Sequence, residues 1–344
     1  MEKKQTYKCG KQSVKLPHPV YIHSSASVVG KKEGEGRLKD YFDMISDDDY
    51  FGMESWEDAE STLQKEAVTL AIGKGKIKQE DIDYILSGDL LGQSIASSFG
   101  LKCFESPLFG LYGACSTCGE SLSLGSMLVA AGYAERLVCV TSSHFASAEK
   151  EFRYPLAYGN QRPKSSTWTV TGSGAFVLSD TPWEHDRAII TGVTTGIITD
   201  YGLKDSMNMG ACMAPAAAST IYAHMMDFGV KPEEYDRIIT GDLGIVGQTI
   251  LFELLKEKGI DITKQHMDCG IEIFDSSTQG TEAGGSGCGC AATVLSAYIL
   301  KQLEDGVWKK VLFIPTGALL SKTSFNEGKS VPGIAHAVVI EGCK

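Results

Sequence analysis

The chain has 344 residues, 43% hydrophobic and 22% charged, with a formal net charge of −11. This balance describes a globular sequence long enough for two domains or one large layered body. It argues against a nucleic-acid partner, which needs a clustered basic face, and no apolar run approaches the roughly 20 residues of a membrane span.

The first segment, "MEKKQTYKCGKQSVKL", is charged and has no apolar core after it, so no signal peptide is expected. Ten cysteines scattered over so long a chain read as mostly reduced thiols of an intracellular protein. "YIHSSASVVG" (21–30) is a strand pattern. "SDDDY" (46–50) lacks the spaced ligands and closing Glu of a calcium loop and is expected to be a solvated acidic turn. From 56 to 75, Ala59, Leu63, Ala67 and Leu70 share one helical face, and Gly73 and Gly75 stop the helix.

"EDIDYILSGDLLGQSI" (80–95) is then echoed by "EEYDRIITGDLGIVGQTI" (233–250). Asp83, Ile85, Gly88, Asp89 and Leu90 match Asp236, Ile238, Gly241, Asp242 and Leu243 at one constant offset. "RLVCVTSS" (136–143) parallels "KKVLFIPTG" (309–317), and "GSGAFVL" (172–178) parallels "IAHAVVI" (334–340). "AIITGVTTG" (188–196) echoes 21–30 more weakly. Two copies of one strand–helix unit are expected, one over 1–180 and one over 181–344. Alternating strands and helices imply a sheet with helices on its faces, and two such halves give a layered α/β/α/β/α body.

Between the copies of the first pair lies "YGACSTCGES" (112–121), where an apolar stretch gives way to a small-residue helix. A thiolate at a helix N-terminus is favoured by unpaired N–H groups and the helix dipole, and Gly113, Ala114 and Ser116 leave room around Cys115. The plainer alternative is a free cysteine filling a buried niche. "CSTC" and "CGC" (288–290) could also pair as a zinc or redox site, but neither has knuckle context, and Cys118 falls one turn into the helix. No metal and no cofactor are expected. "GGSGCG" (284–289) lacks the Gly-Lys-Ser/Thr of a phosphate loop, and close packing of buried helices explains its glycines better.

The duplication, the Cys at the start of a buried helix and the late "TGSGAFVLS" strand resemble the thiolase and ketoacyl-synthase superfamily. "GDLLGQSIAS", "LYGACSTCGES", "VTSSHFASAEKEFRYPLAYGNQRP", "MGACMAPAAAST", "MDCGIEIFD" and "AGGSGCGCAA" are similar to one non-condensing branch, the stage V sporulation protein AD family. The resemblance runs from about residue 15 to 342 and implies a duplicated, thiolase-like α/β fold. It places the superfamily's nucleophile at Cys115. The superfamily's partners, His and Asn or two His, correspond to Asp242 and to Gly284 or Gly285, which implies that condensation is disabled.

An ionised Asp accepts hydrogen bonds but donates none to an oxyanion, and beside Cys115 it would raise the thiol pKa. Because Asp89 holds the matching place in the first copy, Asp242 reads first as a structural strand-end or helix-capping residue and second as a ligand contact. His144, after strand 136–143, and His336 are further candidates, each with a buried structural histidine as the alternative. Arg153 and Arg162 lie in a Pro- and Gly-punctuated loop that could line a pocket.

The resemblance also implies binding of dipicolinic acid or its calcium chelate, for uptake into the developing spore, beside other proteins of a membrane-associated complex. The expected wall is Cys115, Ser116, Ser143, His144, Asp242 and His336. It implies further a homodimer, and a cytoplasmic location peripheral to the spore membrane. The alternatives are an acyl-transferring or condensing enzyme with Cys115 as nucleophile and His144 or His336 as base, and a structural adaptor with a vestigial pocket.

Overall fold

In the computed structural model, residues 6–152 and 161–343 are described. The first half contributes strands β1 (Ser13–Val29), β2 (Tyr84–Gly88), β3 (Leu108–Gly110), β4 (Arg136–Ser143) and β5 (Gly172–Ser179). The second contributes β6 (Ala188–Thr194), β7 (Arg237–Thr240), β8 (His266–Asp268), β9 (Lys310–Ile314) and β10 (Ala337–Glu341). They are hydrogen-bonded in the order β8-β7-β9-β10-β6-β1-β5-β4-β2-β3.

Outward from the β1–β6 seam the order is the same in both directions, and so is its sense. β2 runs parallel to β3 and β4, and β5 is antiparallel to β4 and β1. Likewise β7 runs parallel to β8 and β9, and β10 is antiparallel to β9 and β6. The repeat in the sequence is thus a repeat of strand order.

Strand alternation sorts the side chains into layers. In β4, Leu137 and Cys139 enter the central core, whereas Val138 and Val140 enter the outer core with Leu63 and Ala67. In β7 and β9, Ile239 and Phe313 face the centre while Ile238, Leu312 and Ile314 face the opposite outer core. Helices α1 (Trp56–Lys74) and α2 (Ile95–Leu101) cover one outer face. Helices α3 (Thr117–Ala130) and, later in the chain, α8 (Cys288–Val294) lie between the sheet halves. Between them in sequence come α4 (Phe145–Phe152), α5 (Met209–Phe228), α6 (Gly244–Lys256) and α7 (Cys269–Ile273). Helices α5 and α6 pack together on the other outer face. The result is the expected α/β/α/β/α stack.

Gly289 of "GSGCGC" serves helix-on-strand contact, rather than the helix-on-helix contact expected from sequence. A Cβ on Gly289 would lie 2.3 Å from the Gly172 carbonyl oxygen, and one on Gly174 would lie 2.6 Å from the backbone of Ala292. Residues 46–50 form a turn in which Asp48 accepts from the N–H groups of Tyr50 and Gly52. Among the described residues, no helix is long and apolar enough to cross a membrane.

The β5–α8 contact gives a direct test. Gly174→Ala should cost about 1–3 kcal/mol, because the clash is with backbone that cannot rotate away. A urea unfolding midpoint unchanged from the parent would refute that packing.

Candidate functional site

The elbow between β3 and α3 is built by its own small polar side chains. Ser116 Oγ donates to the Gly113 carbonyl at 2.6 Å, and Thr117 Oγ1 donates to the Ala114 carbonyl at 2.6 Å. The Gly113 N–H donates back to Thr117 Oγ1 at 3.0 Å. Ala114 is held at φ +50°, a left-handed conformation costly for a residue with a Cβ. This strained turn presents Cys115, 5% exposed, just ahead of α3.

Facing it, two residues beyond the end of β7, is Asp242. Its carboxyl accepts from Thr316 Oγ1 at 2.7 Å and from the Gly287 N–H at 3.0 Å, and it also accepts from the Cys115 thiol. Burial raises the Asp242 pKa to about 7, although the three donors oppose the rise. The Cys115 thiol is pushed well above its ordinary range, first by burial and then by the charge and hydrogen bond of Asp242. The polarity is the reverse of an activated nucleophile: the sulfur is the donor and its neighbour the acceptor.

The capping role expected of Asp242 falls elsewhere. Asp89 does cap, accepting from the N–H groups of Leu91 and Ser97 and from Ser97 Oγ. In the second half this work passes to Asp268, which accepts from the N–H groups of Leu243, Gly244 and Ile271 and from Thr240 Oγ1. Asp242 is released to face the thiol. Sequence equivalence with Asp89 concealed this, because the substitute cap comes from a different strand.

Gly284 and Gly285 are imposed by packing. A Cβ on Gly284, whose φ is +127°, would lie 2.7 Å from the Gly270 carbonyl oxygen. One on Gly285 would meet Ile273 at 2.8 Å. No side chain large enough to act on Cys115 fits there without moving α7.

The space at Cys115 is a small chamber of about 30 Å³, bounded by Leu90, Tyr112, Ala148, Phe152 and Leu320. That is room for one water molecule. Leu90, Tyr112, Phe152 and Leu320 also bound an outer vestibule of about 430 Å³, whose walls include Gln93, Ser94, Glu151 and Leu319. These four side chains form the constriction between the two spaces. None was expected at the site from the sequence, where an apolar side chain near a helix end carries no mark of a gate.

The other expected wall residues do not reach this chamber. Ser116 is spent on the elbow. Ser143 Oγ donates to the Val170 carbonyl at 2.7 Å and accepts from the Gly289 N–H, fastening β4 to α8. His144 opens onto a separate cavity with Trp56 and Trp168. Its Nε2 pairs with the Asp49 carbonyl at 2.8 Å and its Nδ1 accepts from the Ala146 N–H, so the ring is neutral and burial holds its pKa down. His336 accepts from the Gly196 N–H at 3.4 Å, and burial lowers its pKa to about 4. Arg162 is buried against Glu149, a residue of α4 that also bounds the chamber, at 2.6 Å. Arg153 lies outside the described residues.

All ten cysteines are free. Cys118 packs in the central core, whereas Cys115 clusters with Cys288, Leu90 and Ala148, so the Cys-x-x-Cys is split between two environments. Among the described residues no group of three or more His, Cys, Asp or Glu is placed to hold a metal ion.

Residues 10–341 match the family model described as Stage V sporulation protein AD (SpoVAD). The chain is 42% identical over 332 residues to the stage V sporulation protein AD of Bacillus subtilis (strain 168), covering 96% of this chain and 97% of that protein. Among solved structures, it resembles 3-oxoacyl-[acyl-carrier-protein] synthase III from Aquifex aeolicus VF5 (TM-score 0.56, 14% identity, 94% and 99% of the two chains). It also resembles human mitochondrial 3-ketoacyl-CoA thiolase in complex with CoA (TM-score 0.56, 14% identity, 96% and 99%). These structural likenesses show the thiolase-like fold.

Two outcomes are expected at Asp242. Asp242→Asn removes the charge that suppresses thiolate formation, so methylthiolation of Cys115 at pH 8, read by peptide mass spectrometry, should speed up about tenfold. Equal rates would show that Asp242 does not control the thiol. In the parent, the folded carboxyl keeps its proton up to about pH 7 while the unfolded one releases it in the usual carboxylate range. Its contribution to stability is therefore present below that range and lost as pH rises toward 7. The urea midpoint of Asp242→Asn should fall less steeply than the parent's between pH 5 and 8.

Proposed function

Because the chain belongs to the stage V sporulation protein AD family, we propose that it binds dipicolinic acid, as the calcium chelate, for delivery into the developing spore without carrying out condensation. The observation that carries this reading is the Cys115–Asp242 pair. A thiol buried as a donor to a carboxyl, with glycine where the second partner would stand, retains the position of a nucleophile but not its activation.

The chamber at Cys115 is too small for a pyridine ring, so the ligand occupies the vestibule outside the Leu90–Tyr112–Phe152–Leu320 constriction. That vestibule holds about 430 Å³ and is apolar over much of its wall. Glu151 stands on the wall and is paired at 3.6 Å with Lys322. A free dianion is repelled by Glu151, whereas a calcium chelate offers it a cation, which favours the chelate as the bound form.

Any association with a membrane then runs through other proteins of a complex. A homodimer is supported by β3, which ends the strand order and leaves Leu108 44% and Phe109 46% exposed. An unpaired edge with apolar side chains is a template for pairing with a second copy.

Calorimetry with dipicolinate, with and without calcium, tests the ligand and its place. The chelate should bind the parent, and Leu319→Trp, which fills the vestibule, should weaken binding at least about tenfold. Glu151→Gln should weaken the chelate by a few-fold while leaving free dipicolinate unchanged or improved. Chelate binding undiminished in Leu319→Trp would exclude the vestibule. A stable acyl adduct on Cys115 after incubation with acyl-CoA, absent in Cys115→Ser, would instead restore the condensing-enzyme reading.

A further inference from the structure

Helix α4 separates two cavities. Its Ala148, Glu149 and Phe152 bound the Cys115 chamber, while Phe145 and Ala146, at its start, bound a second space of about 350 Å³. The second space has two aromatic walls. Trp56 stacks on Tyr50 with ring centroids 3.7 Å apart, and Trp168 stacks on Phe145 at 4.0 Å.

Its polar groups are unevenly used. His144 has both ring nitrogens committed to backbone and is a neutral wall. Glu33 is 1% exposed; its Oε1 accepts from the Thr171 N–H at 2.9 Å, and its Oε2 has no hydrogen-bond partner among the described residues. A buried carboxyl oxygen without a donor costs stability that an apolar side chain would not, so its retention beside a cavity points to a missing partner. Lys32 lies 4.2 Å over the Trp168 ring and, among the described residues, donates one hydrogen bond, to the Gln279 carbonyl, which leaves two of its three N–H groups for another acceptor. Asp49 adds a second carboxylate at the exposed rim.

We propose that this second cavity is a binding site for a small zwitterion, an α-amino acid with an apolar or aromatic side chain. Its ammonium is held by Glu33 Oε2 and Asp49, its carboxylate by Lys32, and its side chain lies against Trp56. A purely anionic ligand leaves Glu33 unanswered and meets two carboxylates; a purely cationic one meets the Lys32 ammonium. Only a ligand with both charges answers every free group. The site is independent of the vestibule and of the dipicolinate reading.

L-phenylalanine is the probe, with 3-phenylpropionate and 2-phenylethylamine as its two half-ligands, followed through the indole N–H signals of the four tryptophans. L-phenylalanine should move the signals of Trp56 and Trp168 but not those of Trp183 and Trp308. Each half-ligand should bind at least about tenfold more weakly. Glu33→Gln, which preserves the acceptor for Thr171, should weaken L-phenylalanine at least about tenfold, and Leu319→Trp should leave it unchanged. The proposal fails if the Trp56 and Trp168 signals stay still at about 10 mM ligand, or if Glu33→Gln binds as the parent does. It fails equally if 2-phenylethylamine binds as tightly as the amino acid, which would mark a simple cation site. Should Glu33→Gln not fold, the half-ligand comparison on the parent decides.

Discussion

One carboxyl group gathers the parts of the site. Asp242 takes hydrogen bonds from the Cys115 elbow, from the Gly287 N–H at the entry to α8 and from Thr316 beyond β9, and so ties three distant segments to one buried point. Those three donors stabilise its charge, yet burial still outweighs them and leaves the group titrating near neutrality. The thiol it accepts from is stabilised in its neutral form as a consequence. The electrostatics around Cys115 therefore oppose thiolate formation rather than promote it.

The pseudo-symmetry of the chain explains how such a site arises without new architecture. Both copies carry a "GDL" after the matching strand, and in the first copy its Asp simply caps the following helix. In the second, Asp268 at the end of β8 supplies that cap, with Thr240 fixing its carboxyl at 2.6 Å. A redundant cap frees one Asp for another purpose. The same economy appears in the glycines: those of β5 and α8 are required for the two to touch, and Gly284 and Gly285 are required for α7 to lie where it does.

The fold was legible because duplication and alternation are written directly into residue type. Matching "SGDL" and "TGDL" segments, Ala- and Leu-rich helices and β-branched strands sufficed for the layered stack, and "GACST" sufficed for the elbow. The site was legible only in part. Cys115 and Asp242 do meet, but the reason lies in a cap exchange between strands 26 residues apart, which no local pattern records. His144 and Ser143 were expected beside Cys115 because β4 ends near it. Side-chain direction at a strand end is set by how the next helix departs, and α4 turns His144 into the other cavity. Phe152 and Leu320 were invisible because their role is steric.

The seam between β1 and β6 has a mechanical consequence. Backbone pairing crosses it in two runs, at Ser13–Lys15 and again at Val20–Ile22 on either side of a register shift, so the two halves are tied together at two separate places. A cleft between such halves has no hinge axis about which to gape. Passage from the vestibule toward Cys115 therefore depends on rotamer changes of the constricting side chains, motions of far smaller amplitude and shorter duration than domain closure.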